Sequence, residues 1–255
     1  MQGRYCLTNF TYTSTGIMMT VNATLDLYTT PAFFPLQTAP TEAIRQARGI
    51  ATTAYLWPQN STITISMFDM PDGAKDYIKK NINLWQPYTN LKFDFINSND
   101  GDIRISGKKD AGGCWSAIGT EAKTLPIGDP TMHIDLVQTA DLLNQSIRHE
   151  FGHALGLEHE HQHPDNTIKW DTGKLYKAAA LDNISDADTY ENFLKPHDPT
   201  TTTQSAYDTA SIMHYKVLPS VTTDGSQVGF NEELSEGDKN FMTFLYPPTS
   251  VSPLP

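Results

Sequence analysis

His149, Glu150, His153, Gly156 and His159 occupy the fixed positions of the pattern H-E-x-x-H-x-x-G-x-x-H, and each position has a chemical reason. On a helix, residues four apart lie one turn above each other, so His149 and His153 aim two imidazoles at one point. Glu150 is next to the first of them in sequence but points roughly 100° away around the helix. It therefore reaches a water at that point rather than the metal itself. Gly156 permits a left-handed backbone that ends the helix and reverses the chain, and the reversal returns His159 as a third ligand. Three nitrogens leave the fourth tetrahedral position open, the mark of a catalytic zinc rather than a structural one. His161 and His163 follow closely, but the glycine turn is placed to deliver His159. A solvated loop, or a place behind the ligands, is left for the other two.

These side chains need a helix and a sheet to hold them. Leu143, Ile147, Phe151 and Leu155 recur every four residues, which predicts a helix starting near Thr139 or Asp141 with an apolar stripe on a sheet and both imidazoles facing a cleft. Upstream, Ser61–Phe68 alternates apolar and polar residues and reads as a strand. Asp72 is placed to cap a helix carrying Ala74, Ile78, Ile82 and Trp85 and ending near Pro87. Leu91, Phe93 and Phe95 mark a second strand, Ile103 and Ile105 a third, Cys114–Ile118 an edge strand, and Met132, Ile134 and Leu136 a fifth. After Gly156 periodicity fades: Lys174–Leu181 reads as helical and Pro196–Gln204 as a Thr-rich loop. Ser235-Glu236-Gly237-Asp238 reads as a capping box before a C-terminal helix. The residues from 248 on read as a frayed tail.

The whole chain sets outer bounds. Its 255 residues carry 18 Lys and Arg against 29 Asp and Glu, a net charge of −11. That field disfavours nucleic acid and anionic membrane surfaces, and no apolar run approaches the length of a spanning helix. The first residues lack an apolar signal core, so any secretion signal is absent from, or already removed from, this sequence. Two cysteines, Cys6 and Cys114, exclude a disulfide-stapled scaffold. Glycosylation triplets at Asn9, Asn22, Asn60, Asn144 and Asn183 are what a chain rich in Thr and Asn produces by chance. Residues 1–48 differ in composition from the rest, with Pro31, Pro35 and Pro40, short apolar runs, and a helix-like stretch at Thr41–Arg48 that ends in a basic residue.

A second motif, Ser211-Ile212-Met213-His214-Tyr215, lies downstream. A methionine in a tight turn beneath three imidazoles supplies a polarizable apolar floor. With it the sequence resembles the astacin family of metzincin zinc peptidases, from about Tyr55-Leu56-Trp57 to Leu245-Tyr246. The matching pieces are Gly113-Cys114-Trp115-Ser116, His149 through Glu160, Tyr207-Asp208, Ser211–Tyr215, and Leu234-Ser235 with Asp238. Glu160, directly after the third histidine, and Tyr215, two after the methionine, separate astacins from most other metzincins. The resemblance implies that Tyr215 is a fifth zinc ligand at rest that swings away to meet the oxyanion. It also implies that an N-terminus freed near Arg48-Gly49 reaches Glu160. Leu157 stands where a Phe is usual and His163 where an Arg is usual. The family commonly has a cysteine partner for the one matching Cys114, but 118–146 contains none, which points to a microbial-type relative without the usual disulfides.

The expectation is therefore an α+β, astacin-like catalytic domain over 49–247. It has a twisted mixed five-stranded sheet, two long helices and a largely irregular C-terminal subdomain ending in a helix, preceded by a 1–48 prosegment. One zinc per chain sits on His149, His153 and His159; Glu150 is the general base and Tyr215 the oxyanion donor. Met213 and Glu160 are structural, and an extended protein or peptide substrate pairs with Cys114, Trp115 and Ser116. Latency falls to Asp26 or to a Cys6 thiolate. A secreted monomer is expected. The alternatives are another metzincin-type, matrix-degrading protease, or a non-catalytic module held by zinc.

Overall fold

The computed structural model describes residues 47–109 and 111–248, together with three short N-terminal strands, β1 (Cys6–Thr8), β2 (Thr11–Thr13) and β3 (Gly16–Met18). The elements that follow are β4 (Ile50–Thr52), β5 (Thr62–Phe68), α1 (Asp72–Ile82), β6 (Lys92–Ile96), β7 (Ile103–Ser106), β8 (Cys114–Ser116) and β9 (Met132–His133). Then come α2 (Ala140–Ala154), α3 (Thr172–Leu181), α4 (Asp186–Thr189) running into a π-helical turn at Tyr190–Leu194, β10 (Thr202–Gln204) and α5 (Glu236–Leu245).

The five expected strands form one mixed sheet in the order β8-β9-β7-β5-β6, extended past β8 by β1. Strands β9, β7, β5 and β6 run parallel, and β8 runs antiparallel to β9. Ile63 and Ile65 of β5, and Ile103 and Ile105 of β7, are fully buried. Against them packs the apolar stripe of α2: Ile147, Phe151 and Leu155 are 0 % exposed, and Phe151 meets Phe93 edge-on at 5.1 Å. Trp85, just past α1, donates its indole N–H to the Arg148 carbonyl at 3.1 Å, tying the two long helices together.

Several expectations are corrected. Asp72 does not cap α1; Pro71 holds that position and Asp72 is the first helical residue, paired with Lys75. The fifth strand is only Met132–His133, because the Asp135 N–H turns aside to the Cys114 sulfur at 3.3 Å. Cys114–Ile118 is not the sheet edge, since β1 pairs antiparallel with β8, Cys6 opposite Ser116 and Thr8 opposite Cys114. The Thr-rich stretch 196–204 is not all loop: Thr202–Gln204 pairs antiparallel with Thr52–Ile50. The Ser235 capping box is present, with Ser235 Oγ accepting from the Asp238 N–H at 2.9 Å and opening α5. The readings at Asp26, at most of Thr41–Arg48 and at the tail from 249 fall outside the described residues. Among those described, no helix is long and apolar enough to cross a membrane.

Candidate metal and catalytic site

Helix α2 ends in a Schellman turn. The Leu157 N–H bonds to Gly152 O at 3.0 Å and the Gly156 N–H to His153 O at 2.8 Å, with Gly156 at φ +105°. Only a residue without Cβ takes that backbone cheaply. The turn brings His159 beside the two helical histidines: Nε2 of His153 lies 3.1 Å from Nε2 of His149 and 3.3 Å from Nε2 of His159. His149 Nδ1 donates to Ile212 O and His153 Nδ1 to Leu157 O, both at 2.8 Å. Those bonds fix the tautomer, so each Nε2 presents a lone pair inward. Burial pulls the His149 imidazole down to about 4, and holds His153 and His159 well below the usual histidine range. Neutral rings aiming lone pairs at one another repel unless a cation sits among them. The donor set therefore fits zinc, with three nitrogens and one open position. All three rings are buried, at or below 7 % exposure.

Around this centre the other predicted residues gather. Glu150 is buried on α2, next to His149. Tyr215 is 4.2 Å from His159 and 5.9 Å from His149, ring centre to ring centre. Met213 lies beneath α2, and a Cβ at Gly152 would stand 2.5 Å from its sulfur. Any side chain at that position of the helix would make the methionine shift. Met213 O accepts the Glu160 N–H at 3.0 Å, joining the methionine turn to the residue after the third ligand. Glu160 Oε1 accepts the Asp208 N–H at 2.7 Å, while Oε2 is buried without a hydrogen-bond partner among the described residues. Burial, with Asp238 and Asp208 nearby, pushes its carboxyl well above the usual range.

The predicted substrate residues divide. Cys114 and Ser116 are buried: the free Cys114 thiol, pushed up to about 12 by burial, accepts from Asp135 N and from Gln138, and Ser116 Oγ bonds to Ala117 O. Only Trp115 of the three is partly exposed, stacked on His133 at 6.1 Å. His161 and His163 do not lie in a solvated loop; both are 0 % exposed. His163 donates to Ser205 O at 2.9 Å and accepts from Asp165 N at 3.0 Å.

Sequence reasoning missed how the methionine turn is anchored. Asp238 accepts from Ser211 Oγ (2.6 Å), Ile212 N (2.8 Å) and Ser235 N (2.9 Å). One α5 carboxylate therefore holds both the turn and its own helix cap. His214 donates Nδ1–H to Tyr215 O and accepts from the Tyr207 hydroxyl, each at 2.6 Å. The capping box announced Asp238 as a cap residue, but nothing local to it announces a partner more than twenty residues away.

Comparison with known proteins agrees with this geometry. The model of the Astacin peptidase family matches residues 49–246. The structure of myroilysin superposes with a TM-score of 0.75 at 35 % identity, covering 79 % of this chain and 100 % of that one. A hatching-enzyme zinc protease from Oryzias latipes shares the fold, with a TM-score of 0.51 at 17 % identity over 84 % of this chain and 100 % of its own. The zinc metalloproteinase nas-38 of Caenorhabditis elegans is 31 % identical over 147 residues, 57 % of this chain but only 18 % of that protein's length. The match over 49–246 leaves no room for another metzincin family, and on the strength of it and of the three-histidine centre the chain belongs to the astacin family of peptidases.

Proposed function

We propose that the chain is a zinc-dependent endopeptidase that hydrolyses peptide bonds in an extended protein or peptide substrate. The observation that carries this reading is the convergence of three neutral Nε2 atoms, two of whose rings are locked from behind by main-chain carbonyls. Zinc bound there would act as a Lewis acid and bring a water's pKa from 15.7 toward about 7. Glu150 takes the proton from the attacking water and delivers it to the leaving amine. Tyr215 donates its hydroxyl to the oxyanion, a contribution of about 3 kcal/mol by comparison with other such donors. Met213 and Glu160 hold the centre together without touching substrate. The substrate strand pairs with the main chain of Cys114–Ser116; since two of those side chains point inward, only Trp115 offers a side-chain contact. Removing metal with a chelator and restoring it with zinc, against a peptide-library digest read by mass spectrometry, tests the assignment. Proteolysis that persists in chelated, metal-free protein would refute it.

The reading extends to a latent precursor in which residues 1–48 are cut away near Arg48-Gly49. It is supported by β1 lying on β8, the strand the substrate needs, and by β3 lying beside α3. Arg48 is exposed, but Ala47 and Ile50 are buried and the Arg48 N–H bonds to Gly237 O at 3.3 Å. Excision therefore needs this stretch to open locally. Cys6, in β1, or Asp26 would hold the metal site shut, and the new ammonium would reach the carboxylate of Glu160, where a buried charge demands such a partner. A precursor of this kind is expected to act outside the cell. Following activity of the full chain against time or trypsin, with N-terminal sequencing of the active species in cells and medium, tests both points. Full activity with Met1 still attached would overturn latency.

A further inference from the structure

Tyr215 is held by an imidazole that the reaction does not use. His161 is fully buried, and its ring stacks on Tyr215 with centroids 4.4 Å apart and planes 17° from parallel. The same ring lies 5.1 Å from His159, so His159, His161 and Tyr215 form one aromatic contact set. His161 Nε2 donates at 2.8 Å to the carbonyl of Asn192, in the middle of the π-helical turn Tyr190–Leu194. The neighbouring Gln162 amide grips the same turn through Glu191 O at 2.7 Å and Lys195 O at 2.9 Å. His161 Nδ1 is buried with no hydrogen-bond partner among the described residues.

An apolar ring would fill this space without burying an unpaired nitrogen, which costs free energy. What the imidazole adds is direction. A single bond to a fixed carbonyl sets the plane of the ring, and the stack passes that plane to Tyr215. The π-helical turn supplies the carbonyl, a local irregularity of the kind found at functional sites.

We propose that His161 is a positioning residue: anchored by Asn192, its ring sets the resting plane of Tyr215 beside the metal-ligating histidines and keeps the phenol hydroxyl where it can meet the oxyanion. This rests on the role given to Tyr215 above.

The test compares the activated enzyme with His161→Ala, His161→Phe, Tyr215→Phe and the double variant His161→Ala/Tyr215→Phe on one fluorogenic peptide. His161→Ala is expected to lower kcat about tenfold with KM within about twofold, and to cost nothing further in the Tyr215→Phe background. Losses that multiply in the double variant, or a wild-type kcat in His161→Ala while Tyr215→Phe is impaired, would overturn the inference alone. A wild-type kcat in Tyr215→Phe would instead remove the role of Tyr215, and the inference with it. Should His161→Ala not fold, His161→Phe keeps the stacking ring without the anchor; it is expected to lose kcat about threefold at constant KM, and a wild-type value overturns the proposal. Independently of activity, 19F NMR of fluorotyrosine-labelled, metal-free protein is expected to show one sharp Tyr215 resonance, assigned by its loss in Tyr215→Phe. Broadening or splitting in His161→Ala supports positioning, and an equally sharp single line refutes it.

Discussion

At the scale of single residues the site separates groups that bind from groups that react. Glu150 shares the helix with His149 and His153 but aims elsewhere, so Glu150→Ala is expected to keep one zinc per chain and an unchanged melting temperature. Its kcat should fall at least about a hundredfold, the usual worth of a general base. Metal analysis beside steady-state kinetics decides this, and undiminished turnover at full zinc loading would remove the assignment. Tyr215→Phe should lower kcat far more than KM, because its contact belongs to the transition state. Gly152 is a different case: its place in the pattern is open to any residue that fits, and here the fit is to a sulfur. A Cβ built at Gly152 meets the Met213 sulfur at 2.5 Å, so Gly152→Ala is expected to cost about 1–3 kcal/mol by urea denaturation despite the gain in helix propensity. A stabilised variant would show that the methionine gives way.

At the scale of elements, α5 controls the centre from a distance. Asp238 bonds to Ser211, Ile212 and Ser235, and the Ile212 carbonyl in turn accepts from His149. Asp238→Ala leaves two buried donors, Ser211 Oγ and Ile212 N, and the part-buried Ser235 N–H without this acceptor, a loss of about 3 kcal/mol in stability. Because the turn that carries Met213 and the His149 carbonyl partner loosens with it, zinc affinity is expected to fall as well, by about tenfold or more. A competitive chelator titration of folded protein measures this, and wild-type affinity would mean that the turn holds itself. The C-terminal helix is legible in the sequence as a capping box, yet its role in holding the metal is visible only once the chain has folded back on itself.

At the scale of the molecule, the buried histidines should dominate the response to acid. His149 titrates near 6.5 when unfolded but is held at about 4 in the native chain. Between those values the unfolded state binds the extra proton, so stability falls as pH falls, by about 3 kcal/mol for this ring alone. His153, His159 and His161 shift the same way, and His214 is likewise held at about 4. Asp238, raised from 3.8 to about 6, has the opposite sign: the native state binds its proton first, so its contribution is lost as pH rises through 6. Glu160 is raised as well. His163 is lowered by burial too, and six histidines against two carboxylates give a net loss on acidification, so metal-free protein is expected to melt at a lower temperature at pH 5 than at pH 7.5. An unchanged or higher melting temperature at pH 5 would show that the carboxylates prevail.

Much of this protein was determined by short-range sequence alone. The ligand spacing, the glycine that turns α2 back, the alternation of β5 and the box that opens α5 are set by backbone periods of two and 3.6 residues and by the conformations a few side chains allow. The chemistry of the centre follows because its ligands lie within eleven consecutive residues. Tertiary structure alone decided the rest. Strand β10 finds Ile50–Thr52 across some 150 residues, and Met213 finds the gap at Gly152. His161, which spacing left to a solvated loop or a place behind the ligands, is stacked on Tyr215. Such contacts depend on which faces meet after packing, and a local pattern carries no record of the partner it will meet.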